Sequence, residues 1–162
     1  VRERLQRTQV VDPLNARAIT WSSVNLNHIN DLFVVPLTRD HKCSLVELVA
    51  EHRQEPTWYV IHSSCTPFRD TLDMLLYQAE LRECDVTLDA YWMHTFAKRH
   101  PDSEKQKYDD LLHTPCAKAV LGTQCKGTIV CTDSDATPFK KPWCLLEYFI
   151  ATEVCKKNKL NG

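Results

Sequence analysis

From Pro56 onward, strand-type apolar runs alternate three times with segments of helical periodicity. That alternation constrains the fold more than any other feature of the chain. Thr57-Trp58-Tyr59-Val60-Ile61-His62 is a β-branched and aromatic run, the mark of a buried strand. Thr66-Pro67-Phe68 opens a helix that runs to about Glu83, with Phe68, Leu72, Leu75, Leu76 and Ala79 at helical spacing. Leu88 to Met93 reads as a second strand, and roughly Asp109 to Leu121 as a second helix that Gly122 stops. Gly127-Thr128-Ile129-Val130-Cys131-Thr132 is a third strand, and a helix from Pro142 closes the set. The predicted fold class is therefore α/β: a three-layer, flavodoxin-like domain with a mostly parallel central sheet and right-handed crossovers. Ligands bind such sheets at the carboxyl ends of the strands. That rule brings together His62-Ser63-Ser64-Cys65, the loop from His94 to His100, and the loop from Thr132 to Lys141.

The 162 residues suffice for one domain with a real core. Residues 51–162 carry the α/β pattern, and residues 1–50 form an N-terminal extension that the pattern leaves undefined. Within that extension, Ile29 to Pro36 reads as a short turn and strand. Ser44 to His52 reads as a helix with Ser44 as N-cap and Glu47 completing a capping box. A formal net charge of −1 supplies no basic field for nucleic acid or for an anionic membrane. No apolar run approaches a membrane span, and Val1-Arg2-Glu3-Arg4-Leu5 has no signal-peptide core. Because the chain does not begin with Met, it is expected to be an excised domain or a fragment of a longer product.

Cys43, Cys65, Cys84, Cys116, Cys125, Cys131, Cys144 and Cys155 include no C-x-x-C pair, and the chain has no Asn-x-Ser/Thr sequon. Free thiols in a reducing, cytoplasmic setting account for them better than a disulfide framework. No zinc site is expected, since neither a C-x-x-C nor an H-x₃-H element is present.

Pro142-Trp143-Cys144-Leu145-Leu146-Glu147-Tyr148-Phe149-Ile150-Ala151 sets one carboxylate in an otherwise apolar segment. Pro142 suits the first helical position, where its missing N–H would have no partner. A helix apolar on nearly every face is largely buried, so Glu147 is expected to be at least half removed from water. Such a carboxylate must be paired, hydrogen-bonded or protonated, and perturbed carboxylates cluster at functional sites. Trp143, four residues earlier, shares its helix face. Two readings stand on the residues alone. Either the pair forms a ligand site with a stacking indole and a tuned carboxylate, or Glu147 caps a backbone N–H and Trp143 fills core.

The other motifs are weaker. Three glycines (Gly122, Gly127, Gly162) allow neither a G-x-G-x-x-G fingerprint nor a P-loop. Asp133-Ser134-Asp135-Ala136-Thr137 resembles the strand-end D-x-D-x-T of haloacid-dehalogenase phosphatases, but too little chain follows for the later motifs. A solvated turn built on Asp and Ser hydrogen bonds is the better reading. A nucleophile could be built at His62, Ser63, Ser64 and Cys65, although adjacent residues at a strand end point in opposite directions. Ser63 and Ser64 are read instead as lining the mouth of a cleft. His94, His100 and His113 are read as surface or loop residues without metal spacing.

Together these residues resemble a TIR-like domain. Trp143-Cys144-Leu145-Leu146-Glu147 matches the W-C-x-x-E found in many such domains. The chain is more similar still to a divergent protist group, notably of dinoflagellate type. The matching stretches are Ser44-Leu45-Val46-Glu47-Leu48-Val49, Gln54-Glu55-Pro56-Thr57-Trp58, Pro67-Phe68-Arg69-Asp70, Tyr91-Trp92-Met93-His94-Thr95-Phe96-Ala97 and Asp135-Ala136-Thr137-Pro138-Phe139-Lys140-Lys141-Pro142-Trp143. They keep their order over residues 29–155. Where TIR-like domains are enzymes they cleave the nicotinamide–ribose bond of NAD. The resemblance thus implies an NAD glycohydrolase with Glu147 as catalytic carboxylate, Trp143 against the substrate, and Ser63, Ser64 and Phe68 near the cleft mouth. NAD would be a substrate, with no further cofactor and no metal. The resemblance equally allows a non-enzymatic signalling and assembly module, partnered by other TIR-like domains or by a second copy. Three positions depart from the pattern. The strand-end motif His62-Ser63-Ser64-Cys65 has no aromatic, Pro142 replaces a basic residue, and the domain as read stops after the glutamate helix, as in a truncated form.

Overall fold

Tyr59, Val60 and Ile61 are fully buried, and they form the middle of the central strand β1 (Trp58–His62). The computed structural model describes Glu3 and residues 10–12, 16–85, 87–99 and 113–160, with side chains to residue 153. Within these residues β1 pairs in parallel with β2 (Tyr91–Trp92) on one side and with β3 (Gly127–Cys131) on the other, giving the order β2-β1-β3. The register runs from Trp58 opposite Gly127 to His62 opposite Cys131. A Cβ at Gly127 would lie 3.3 Å from the Trp58 ring, so the smallest residue suits that register position.

Successive side chains of a strand point to opposite faces, and each face of β1 feeds its own core. Tyr59 and Ile61, with Trp92, pack against α6 (Pro115–Val120) and α7 (Pro142–Leu160) through Cys116, Ala117, Val120, Cys144 and Ile150. Val60, with Met93 and Cys131, packs against Leu75 of α4 (Phe68–Leu81) and against Ile19, Val24, Leu26, Ile29 and Val34. The described part of the first 50 residues therefore supplies much of one face of the core. The chain is an α/β protein with a small, open, all-parallel sheet covered by helices. Among the described residues, no helix is long and apolar enough to cross a membrane.

Three local expectations change. Residues 29–36, expected as a turn and strand, are helical: α1 (Leu26–Ile29), a π turn (Asn30–Val34) and α2 (Val35–Thr38) follow one another. Asn25 starts the run. Its side chain accepts from the His28 N–H at 3.0 Å, and His28 Nδ1 accepts from the Asn25 N–H at 3.3 Å. Pro36 can donate no backbone hydrogen bond, and just before it the Val35 N–H bonds back to the Asn30 carbonyl in the wider turn. The second strand, expected over residues 88–93, shrinks to two residues. Asp85 ties up what precedes it, accepting from Thr87 Oγ1 at 2.6 Å and from the Asp89 N–H at 2.8 Å. Of the helix expected over residues 109–121, the described part is α6, which opens on Thr114 as N-cap with Pro115 behind it.

The capping box at Ser44 forms as expected and starts α3 (Leu45–Val49). The Ser44 N–H donates to Glu47 Oε2 at 2.8 Å, and the Glu47 N–H donates to Ser44 Oγ at 3.2 Å. Arg99, beyond the short α5 (His94–Ala97), closes on the same carboxylate, its Nε–H donating to Oε2 at 2.8 Å and its Nη2 reaching Oε1.

Candidate functional site

The carboxyl end of β1 delivers His62 and Ser63 to a cleft whose other wall is the first turn of α7. Three sets of bonds hold that corner. The Ser64 carbonyl accepts from the Leu26 and Asn27 N–H groups at 3.1 and 3.4 Å, which docks α1 on the strand end. The Ser63 carbonyl accepts from Thr66 Oγ1 at 2.8 Å. The Cys144 thiol donates to the His62 carbonyl at 3.3 Å, tying α7 to β1. The resulting cleft has a volume of about 620 Å³, with Ser63, Ser64, His94, Lys98, Trp143 and Glu147 among its lining residues.

The sequence of α7 suggests a helix buried on nearly every side, but the helix is buried along one stripe only. Cys144, Glu147, Ile150 and Ala151 form the buried stripe at helical spacing, while Leu145, Tyr148 and Phe149 are exposed. Glu147 thus sits inside the packed stripe, only 4% exposed, whereas Trp143 is 45% exposed at the rim. Tyr59 Oη donates to Glu147 Oε1 at 2.7 Å, and Trp143 Nε1 donates to the same oxygen at 3.0 Å. Glu147 therefore caps no backbone N–H. Among the described residues its Oε2 takes no hydrogen bond, and Glu147 lines the cleft.

The rings behind these donors close a circuit. Tyr59 stacks on Trp92 with centroids 4.9 Å apart and planes at 18°. Trp92 meets His94 edge-on at 6.0 Å, and His94 meets Trp143 edge-on at 5.7 Å. Both ends of this four-ring chain converge on one carboxylate oxygen.

Burial raises the Glu147 carboxyl above the ordinary range, and the Tyr59 and Trp143 hydrogen bonds oppose that rise. Tyr59 is itself pushed upward, first by burial and then by the neighbouring negative charge, so its phenol remains a donor throughout the physiological range. His62 is lowered to about 4 by burial and is neutral near pH 7. The Cys144 thiol is raised by burial and then by Glu147, which makes it an inert packing group rather than a nucleophile. The cleft therefore offers one poorly hydrated carboxylate oxygen, an exposed indole beside it, and two lysines, Lys98 and Lys141.

Of the residues singled out in the sequence, Glu147, Trp143, Ser63 and Ser64 come together here. Ser63 is buried with its hydroxyl accepting from the Cys65 N–H at 3.3 Å, while Ser64 is partly exposed. Phe68 does not join them. It packs edge-on between Trp21 and Phe96, at 6.4 and 6.0 Å, on the other face of the sheet. His94, read as a loop residue, belongs to the ring circuit at the cleft, and His100 lies outside the described residues. The loop over residues 132–141 reaches the cleft through Lys141. Asp133 instead bonds locally, accepting from Thr137 Oγ1 at 2.6 Å and from its N–H at 2.8 Å, as a turn residue does. Among the described residues no cluster of His, Cys, Asp and Glu could hold a metal. Tyr59 is the site residue that sequence reasoning misses, its only signal being a polar tip on an aromatic residue within the strand. The loop that begins at His94 is expected at the strand ends, but the place of His94 among the rings is not. Compared with known proteins, the chain matches no family model, no curated protein and no solved structure.

Proposed function

We propose that this chain is a TIR-like domain of flavodoxin-like architecture that cleaves the nicotinamide–ribose bond of NAD, with Glu147 as the catalytic carboxylate. The observation that carries this reading is the state of Glu147, a carboxylate almost wholly buried, anchored through Oε1, and lining a 620 Å³ cleft. The strand order β2-β1-β3 supports it, being the first part of the flavodoxin-like order. So does the strand-end placement of Ser63 and Ser64 across from α7.

The chemistry follows from that geometry. Nicotinamide leaves neutral, taking the electron pair of the broken N-glycosidic bond, and positive charge develops across C1′ and the ring oxygen of the ribose. A fixed, largely buried anion stabilises that charge more than it stabilises the ground state, as carboxylates do in glycoside hydrolysis. Trp143 offers an exposed ring face to a flat base, and Lys98 and Lys141 face the phosphates. Water then adds at C1′ and gives up a proton to solvent, leaving ADP-ribose. The substrate is NAD, and the setting is a reducing, cytoplasmic one that suits the free thiols at Cys43, Cys65, Cys84, Cys116, Cys125, Cys131 and Cys144. The test is nicotinamide release by the purified chain, run beside Glu147→Gln. Release that the substitution abolishes supports the reading, and no release from wild-type protein at high concentration overturns it.

A second reading, a non-enzymatic assembly module acting on a second copy or on other TIR-like domains, is favoured by a different surface. Phe139, just before α7, meets Tyr148 edge-on at 5.8 Å, and Leu145, Tyr148 and Phe149 leave apolar side chains exposed on α7. Among the described residues, strand β3 also pairs on one side only. A concentration-dependent rise in mass that a charge at Phe149 abolishes, without NAD cleavage, would favour this second reading.

A further inference from the structure

We infer that Tyr59 is a positioning residue of the Glu147 site, its phenol fixing Oε1 to the central strand and leaving Oε2 as the carboxylate oxygen offered to a ligand. This inference deepens the glycosidase reading and rests on it. Tyr59 lies 88 residues from Glu147 in sequence, on the strand that α7 covers, and it is wholly buried. A Glu side chain has three rotatable bonds, and a buried one held by Trp143 alone would depend on an indole that is itself 45% exposed. The Tyr59 bond is buried whereas the Trp143 bond is only partly so, which makes the phenol the firmer anchor. Two donors on one oxygen also set the direction of approach, because a ligand hydroxyl or a developing cation meets Oε2.

Tyr59 has a second effect. It is a neutral donor to a group that burial pushes toward its protonated form. Removing the phenol takes away the leading opposition to that push. The other titratable groups that face Glu147 are His62 on β1, Cys65 beyond it, His94 on α5, Lys98, Lys141 before α7, and Cys144 on α7. Cys116 of α6 lies against the Tyr59 phenol.

The experiment uses Tyr59→Phe in the full chain, which keeps the ring stacked on Trp92. Two readouts are taken: the pH profile of kcat for nicotinamide release, and the carboxyl titration of Glu147 by carbon-13 NMR, assigned by its absence in Glu147→Gln. The expected result is an upward shift of the Glu147 titration, with kcat about tenfold lower near neutral pH and recovering at higher pH. Trp143→Phe should shift the titration the same way but less, and it serves as the second variant should Tyr59→Phe fail to fold. An unshifted titration in both variants, or an equal loss of rate at every pH, overturns the inference and leaves the glycosidase reading intact. The titration does not depend on turnover. A chain that releases no nicotinamide yet shows the shifted titration therefore overturns the glycosidase reading and leaves Tyr59 only as the anchor of the Glu147 carboxylate.

Discussion

Two glutamates a hundred positions apart meet opposite fates. Glu47 stands at the surface corner where α3 begins, bonded by the Ser44 backbone and hydroxyl and clamped by Arg99. Its carboxyl is held down to about 2, with the Arg99 hydrogen bond as the largest cause. Among the described residues no cation bonds the Glu147 oxygens; two neutral donors hold it inside a packed helix stripe, and burial drives its carboxyl upward. The first is arranged so that its charge supports the fold. The second is arranged so that its charge costs the fold something. The same side chain is thus favoured or disfavoured in its charged form according to whether its partner carries charge and how far burial removes it from water.

The comparison breaks most severely at the anchor. Tyr59→Ala removes a wholly buried ring and the firmer donor to Glu147, and it should destabilise the chain by roughly 3–5 kcal/mol. Urea unfolding would read this, and a loss below about 1 kcal/mol would show that the carboxylate does not depend on the strand.

Glu147→Gln should lower nicotinamide release by about 10²–10³-fold, the scale of losing one group that stabilises transition-state charge. The same change should raise stability by roughly 1 kcal/mol at pH 8. The sign follows from linkage. A carboxyl whose folded pKa is raised binds more protons folded than unfolded, so the fold loses stability as pH rises through that window. The advantage of the Gln variant should grow with pH above the ordinary Glu range and vanish below it; a variant less stable at pH 8 would contradict the burial argument.

Glu47→Gln should cost about 1 kcal/mol near pH 7, from a weakened capping box and a broken but partly exposed ion pair. Here linkage runs the other way. The contribution is full above the unfolded value of 4.5 and fades as pH falls toward about 2, so wild type and variant should converge in acid. Smallest of all, Arg99→Gln should cost only a few tenths of a kcal/mol, because its guanidinium is largely in water, and that cost should shrink further in 0.5 M salt.

How much of this is legible in the sequence follows from how far apart the partners lie. Trp143 and Glu147 are four residues apart on one helix, so periodicity alone places them together. Ser44 and Glu47 are likewise readable as a capping box. The order of strand and helix segments yields a parallel α/β sheet without further information. Tyr59 reaches Glu147 only once β1 lies under α7, and no local pattern marks it. His94 gains its place from two indoles, one on β2 and one on α7. Phe68 errs in the other direction: the strand-to-helix turn sends its ring to the opposite face of the sheet, between Trp21 and Phe96. The buried stripe of α7 is hidden because exposed apolar residues flank it on both sides. The helical run at residues 26–38 did carry a signal in Asn25 and His28, but the Phe33-Val34-Val35-Pro36 run has a strand-like composition that masks it.

The π turn over Asn30–Val34 has a consequence for how this chain tolerates changes in length. Deleting one residue from an ordinary helix turns every later side chain by about 100° and strips it from its neighbours. A π turn already holds one residue more than an α turn needs. Losing a residue from its exposed side, at Asp31, would let the turn tighten while Val34 and Thr38 keep their buried faces. With Pro36→Ala supplying the missing donor, the shortened run could close as a continuous α-helix. Inside its longest run of helix before β1, the chain thus holds one spare residue, a slack link where most helices are taut.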